Sequence, residues 1–395
     1  MHPLHWVLLL LLLFFSATST AQANIDSRFN VYWGNEPGNC AGHKKTLDRW
    51  LQEAIDLTKS SLQAFDIALG GNYPNDGYDH AERTKEFLKS FWGLDSGSNE
   101  DDINLVRERF NVINQWLQGN RNFPDSAVQP WLFCDGTGLQ PKNRRDIAVE
   151  QDGVTEVQQA DPETGQMGPA AIEDVERYKD LLFVKDSNNK YQPNTDEPYW
   201  SDTLKRYVMA PDGLQNGCAS GAYIGYTNPQ EEPRAMVVCI DAIEKDPTSE
   251  EEDPTPEEDT ILGTFVPDLV LNPSNGAFSY FKPKSSTFLH EVFHLYYGND
   301  QTPDSTYQLF DAQETIKNDP NTVPVSLYMD GWDNTDPEIA NSKEWTKAGI
   351  VRRTPEIYMV FAVTCWTWFE RTFMVNGVEN RADLSSTQVD WIPRK

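Results

Sequence analysis

The 395-residue sequence is short of several things, and each shortage excludes something. Basic residues are few: 33 Lys and Arg face 61 Asp and Glu, for a net charge of −28. Such a surface repels phosphates, which argues against nucleic acid and anionic membranes as partners. It suits cationic protein substrates, although acidic surfaces also serve solubility. Past the first residues no segment is long and apolar enough to span a bilayer. The five cysteines, Cys40, Cys134, Cys218, Cys239 and Cys365, include no CxxC pair, which disfavours a cysteine zinc site. Their number suits an oxidising compartment and leaves one over. No N-x-S/T sequon is present, since Asn272 is followed by Pro273, so N-glycosylation is not expected. There is no internal repeat, and histidine is scarce, with six in all.

What is there begins with an apolar run, Trp6–Phe15, followed by small residues ending Ala21-Gln22-Ala23. It is too short for a membrane span and ends in an A-x-A site, so residues 1–23 read as a secretory signal. His2 and His5 stand where lysine or arginine is usual. A soluble, secreted protein is expected. Roughly 370 residues remain, enough for a sizeable core.

Lys45–Leu69 carries Leu47, Leu51, Ala54, Leu62, Phe65 and Leu69 at helical spacing before Gly70-Gly71. Further helices are predicted over Ala81–Phe91 and along Ile103, Val106, Phe110, Ile113 and Leu117, with Asp101 and Asp102 at the favourable end of the dipole. From Gln118 to about Gly217 scattered prolines predict loops with short elements such as Ile172–Val184. Strands are predicted at Ala222–Thr227 and Ala235–Ile240. Glu244–Thr260, rich in acids and proline, reads as an exposed loop. Leu262–Leu271 and Ala277–Phe281 then lead to a helix ended by Gly298, and a closing helix runs from Glu356 to about Phe373.

Two of the four histidines outside the leader fall in His290-Glu291-Val292-Phe293-His294. Residues four apart on a helix share a face, so His290 and His294 can reach one ion while Glu291 leans over it. This is the HExxH pattern. Neutral imidazoles hold zinc, an open coordination position holds water, and the carboxylate takes the water's proton as it attacks a peptide carbonyl. A solvated helix face is the plain alternative. Phe288, Leu289, Val292, Phe293 and Leu295 weigh against it, because they would bury the helix, and buried histidines need partners. One catalytic Zn2+ is expected, with His290 and His294 as ligands and Glu291 as general base.

A catalytic zinc normally has a third protein ligand. His43 and His80 lie far upstream on predicted helical surfaces, which points to a downstream carboxylate. Asp300 is placed for a metzincin-like set, but Tyr297 occupies the position that set requires as glycine. Glu314 is placed for a thermolysin-like set, but Gln313 replaces the expected asparagine. Asp304 lies in Thr302-Pro303-Asp304-Ser305-Thr306-Tyr307. The residues alone leave Asp304 and Glu314 open.

That hexapeptide resembles the GTxDxxYG element of the aspzincins, the deuterolysin and peptidyl-Lys metalloendopeptidase family of secreted fungal enzymes. Gln301 and Gln308 replace its outer glycines. The likeness extends to Cys218-Ala219-Ser220-Gly221, Tyr226-Thr227, Val238-Cys239-Ile240-Asp241, Thr287-Phe288-Leu289 and Pro355-Glu356-Ile357-Tyr358 with Phe361-Ala362. Cys40 and Glu86-Phe87-Leu88 are similar to the opening of the mature enzymes.

The resemblance implies an α+β, zincin-like metallopeptidase, mainly helical with a small antiparallel sheet before the HExxH helix. It covers residues 24–395 as a single domain with insertions near 140–215, 244–260 and 315–350, and leaves Asn24–Asn39 as the stub of a propeptide. It implies Asp304 as zinc ligand, Tyr307 as an active-site tyrosine that donates to the developing oxyanion or lines the pocket, and Glu356 as a substrate-binding acid favouring basic residues on the primed side. Glu356 also reads as an acid at a helix start. The resemblance pairs Cys40 with Cys134 and Cys218 with Cys239, leaving Cys365 as a buried thiol. The function implied is a secreted, monomeric zinc endopeptidase acting on proteins or peptides. Its rival is a zinc-binding or adhesion protein on the same scaffold without turnover.

Overall fold

Apolar residues at helical spacing build the N-terminal half. Helix α1 (Lys44–Ala68) buries Leu47, Leu51, Ala54, Leu57 and Phe65 along one stripe, α2 (His80–Trp92) buries Phe87, Leu88 and Phe91, and α3 (Glu100–Leu117) buries Val106, Phe110 and Ile113. Asp79 caps α2 by accepting the Glu82 amide, and three acids open α3. Leu69, counted with the inward stripe, lies just past the helix and is exposed.

The computed structural model describes residues 23–34, 38–73, 75–94, 97–98, 100–124, 128–161, 164–185, 191–193, 196–210, 213–214, 218, 225–228, 233–244, 283–298, 301–302, 352–375, 378–383 and 390–393. Residues 1–22 of the expected signal, the acidic stretch 245–260, the segments 262–271 and 277–281, and the expected insertion 315–350 lie outside them.

Two later helices complete the core. Helix α4 (Ser286–Tyr297) carries the HExxH residues, and α5 (Pro355–Glu370) is buried at every position from Pro355 to Phe369. A helix apolar all round belongs inside a core. α5 packs on α1, α2 and α4, and its Tyr358 and Phe361 meet Phe110, Trp92, Phe293 and Phe65 at ring-centroid distances of 4.6–5.7 Å. Such pairs add about 0.5–1.5 kcal/mol each beyond their burial. They fix the back of α4.

Fourteen strands are described: β1 (Asn30–Val31), β2 (Trp131–Phe133), β3 (Leu139–Pro141), β4 (Gln158–Ala160), β5 (Met167–Pro169), β6 (Phe183–Lys185), β7 (Tyr191–Pro193), β8 (Glu197–Ser201), β9 (Arg206–Ala210), β10 (Gly225–Asn228), β11 (Ala235–Val238), β12 (Phe373–Val375), β13 (Val378–Asp383) and β14 (Asp390–Pro393). The sheet against α4 has the order β1-β2-β11-β10. It is not purely antiparallel as expected: β1 and β11 both run parallel to β2, and only β10 with β11 is antiparallel. Parallel neighbours need long crossovers, and here α1 to α3 supply the one between β1 and β2.

One further expectation is corrected and another is extended. Asn24–Asn39 is no stub, because Ile25 and Phe29 are buried in the main core and Asn30–Val31 forms β1. The stretch 139–210 holds the expected short elements, with helical turns at Ile172–Asp174, Glu176–Tyr178 and Lys179–Leu182, and adds the sheet β3-β8-β9 and the antiparallel pairs β4-β5 and β6-β7. Alternation along β8 and β9 sends Tyr199, Val208 and Ala210 into one apolar cluster and Trp200, Tyr207 and Met209 into another. A scattered-proline composition hid strands of three to five residues.

Cys40 pairs with Cys134 and Cys218 with Cys239, while Cys365 is free and buried. Both pairings match those the resemblance implied and fit an oxidising compartment. Among the described residues no helix is long and apolar enough to cross a membrane.

Candidate metal centre

The apolar collar buries α4 on the sheet side and the α5 side alike, and His290, Glu291 and His294 are each less than a tenth exposed. The helix spacing brings His290 Nε2 and His294 Nε2 to 3.1 Å from one another. Their other ring nitrogens decide what that approach means.

Gly298 ends α4 at φ 84°, a backbone angle that favours glycine. The turn that follows returns Thr302 to the helix end, where its Oγ1 donates to Gly298 O at 2.7 Å. A hydroxyl has one proton. Thr302 Oγ1 therefore accepts from His294 Nδ1, 3.2 Å away. On the other side, Pro355 occupies the first turn of α5 and sets Glu356 beside α4. Glu356 Oε2 lies 3.3 Å from His290 Nδ1 with both side chains buried. The carboxylate's charge favours the Nδ1 proton there.

With both protons on Nδ1, the two Nε2 atoms present lone pairs to each other. A shared cation would satisfy that arrangement, as would a proton donated from one ring to the other. Two imidazoles on one tetrahedral zinc, each at about 2.0–2.1 Å, would hold their nitrogens about 3.3–3.4 Å apart. The observed donor pair fits that chemistry. Among the described residues no group of three or more His, Cys, Asp or Glu side chains gathers for a metal.

Glu291 points to the sheet. Its Oε2 accepts from Thr227 Oγ1 at 2.6 Å, and Gly225 lies against its Oε1 and Cγ. So the structure brings His290 to His294 and Glu356 to His290, while the Glu291 carboxylate meets Thr227. Asp304 and Tyr307, with the rival ligands Asp300 and Glu314, lie outside the described residues. The other two described histidines are elsewhere: His43 is 3.5 Å from Asp241, and His80, expected on a surface, is buried beside Trp368.

Sequence reading assigned no role to Thr227, Gly225 or Thr302. Tyr226-Thr227 and Thr302 stood in the matched stretches, but nothing local says that a strand hydroxyl meets a helix carboxylate 64 positions later. Arg109 Nη2 donates to the Gln301 carbonyl at 2.9 Å and Arg353 Nη1 to its side chain at 3.0 Å, so Gln301 is tied on both sides. The chain matches no protein-family model, no curated protein and no solved structure.

Proposed function

We propose that this protein is a secreted zinc endopeptidase of zincin-like, aspzincin-like type. The observation that carries the reading is the 3.1 Å approach of His290 Nε2 and His294 Nε2, with each Nδ1 beside an acceptor. His290, His294 and Asp304 would hold the ion, and bound there zinc supplies the Lewis acid that makes water nucleophilic near neutral pH. Glu291 takes the proton of the attacking water and passes it to the leaving amine. Tyr307 donates to the carbonyl oxygen as charge develops on it. His290, Glu291 and His294 are buried, which strengthens the charge interactions they make.

Glu356 has two assignments on one carboxylate. Its approach to His290 supports an orienting role. The resemblance adds a preference for basic side chains on the primed side, which a cut-site profile reads directly.

The test is zinc stoichiometry and cleavage of a mixed peptide library by the purified mature protein beside Glu291→Gln. The expected result is one zinc per chain in both, with cleavage by the wild type alone. Zinc without cleavage in either protein would favour a zinc-binding protein on a peptidase scaffold.

A further inference from the structure

Strand β10 runs along α4, and its period-two alternation turns Gly225 and Thr227 to the same side. Tyr226, between them, instead reaches the Met209 carbonyl of β9. Both flanking residues meet the same partner. Thr227 Oγ1 lies 2.6 Å from Glu291 Oε2, within the range of about 2.5–2.7 Å typical of a hydroxyl donating to an ionised carboxylate. The same Oγ1 is 3.3 Å from the Glu291 carbonyl, and its single proton goes to the nearer, charged acceptor. Gly225 leaves the space that the other carboxylate oxygen occupies. A Cβ there would stand 2.7 Å from Glu291 Oε1, 2.8 Å from Glu291 Cγ and 2.9 Å from Thr287 Cγ2. Its φ is not in the left-handed region, so what glycine supplies here is space, and a Cβ would make the Glu291 and Thr287 side chains shift.

We infer that Thr227 is a positioning residue, which together with the gap at Gly225 seats the Glu291 carboxylate beside the metal centre. The inference rests on the reading of Glu291 as the general base. A glutamate has three rotatable bonds, and a base misplaced by about 1 Å can cost about 100-fold in rate. Thr227 limits that freedom with one bond. Gly225 keeps the seat open.

Three variants test this: Thr227→Val, which keeps shape and removes the donor, Thr227→Ser, which keeps the donor, and Gly225→Ala, which fills the gap. The first readout is the Glu291 carboxyl carbon resonance of metal-free, 13C-glutamate-labelled protein at one fixed pH, identified by its loss in Glu291→Gln. It is expected to move in Thr227→Val and Gly225→Ala and to stay near the wild-type position in Thr227→Ser. The second is cleavage of a peptide substrate by the zinc-loaded protein. Thr227→Val and Gly225→Ala are expected to lower kcat about 10- to 100-fold with KM unchanged, and Thr227→Ser to recover most of it. A resonance that stays put in both Thr227→Val and Gly225→Ala overturns the inference. So does a Thr227→Val enzyme with wild-type kcat. If the wild type cleaves no peptide, the peptidase reading fails, and the resonance alone decides whether Thr227 seats the carboxylate.

Discussion

Glu356 Oε2 lies 3.3 Å from His290 Nδ1, across the packed contact between α4 and α5. A carboxylate behind a metal-binding histidine fixes its tautomer and raises its basicity. Glu356→Ala is therefore expected to weaken zinc binding about 10- to 100-fold, read by competition with a chromophoric chelator. Thr302→Val, which removes the acceptor at His294 Nδ1, should act in the same direction. Unchanged affinity in both variants would deny these residues an orienting role.

The third ligand separates two versions of the site. Asp304→Ala should lose zinc while Glu314→Ala retains it, measured as metal content after dialysis. The reverse pattern would assign the ligand to Glu314 and leave the reaction class unchanged.

His80 gives a pH dependence unconnected with the metal centre. Its ring is buried, with Nε2 2.7 Å from Asp76 Oδ1 and Nδ1 accepting from Trp368 Nε1 at 3.0 Å. Tyr73, Tyr78 and Phe369 pack around it, Arg381 reaches Asp76 from β13, and Asp79 adds a further charge. Burial lowers its pKa from the ordinary histidine value, against the opposing pull of Asp76. Burial pushes the Asp76 carboxyl up, but the hydrogen bond and charge of His80, with Arg381, bring it below its usual value, so Asp76 keeps its charge through the histidine range. The unfolded chain takes up a proton near pH 6.5 that the fold still refuses. Stability from this group is complete above about pH 6.5 and declines as pH falls toward the folded pKa, by at most about 1.4 kcal/mol per pH unit. His80→Gln keeps a donor for Asp76 and does not titrate. Denaturant midpoints from pH 7.5 to 5.5 should fall less steeply in that variant than in the wild type.

The cysteines should behave as two classes. Cys365 is fully buried in α5, and burial pushes its thiol well up, so it should resist an aromatic disulfide reagent in the native state and react on unfolding. The Cys40–Cys134 bond spans 94 positions and ties the residues after β1 to the end of β2. Replacing both cysteines by alanine should cost about 2–5 kcal/mol in denaturant unfolding.

Much of the helical frame was legible because helix signals are local. The stripe from Leu47 to Phe65, the acids before Ile103 and the apolar collar of His290 each lie within a few turns of chain. Strand partners were not legible in the same way. β2 carries only Trp131, Leu132 and Phe133, and nothing in those three residues says that they lie between Asn30–Val31 and Ala235–Val237 in a parallel register. Within 139–210 short elements were legible, but not which strands pair, since those strands gain their burial from partners elsewhere in the chain.

By itself the sequence determined the pairing of His290 with His294 and the place of Glu291 between them, because helix geometry makes residues four apart neighbours whatever surrounds them. It also supplied the apolar collar that takes this helix out of water. Only the tertiary structure decided which groups face the two Nδ1 atoms, and hence which nitrogens point inward. Glu356 comes from a helix that starts 65 positions beyond His290, Thr302 from the turn at Gly298, and Thr227 from a strand whose face is set by pairing with β11. Those contacts depend on packing between elements, and the forces that choose the packing are spread over the whole core instead of being written at the site.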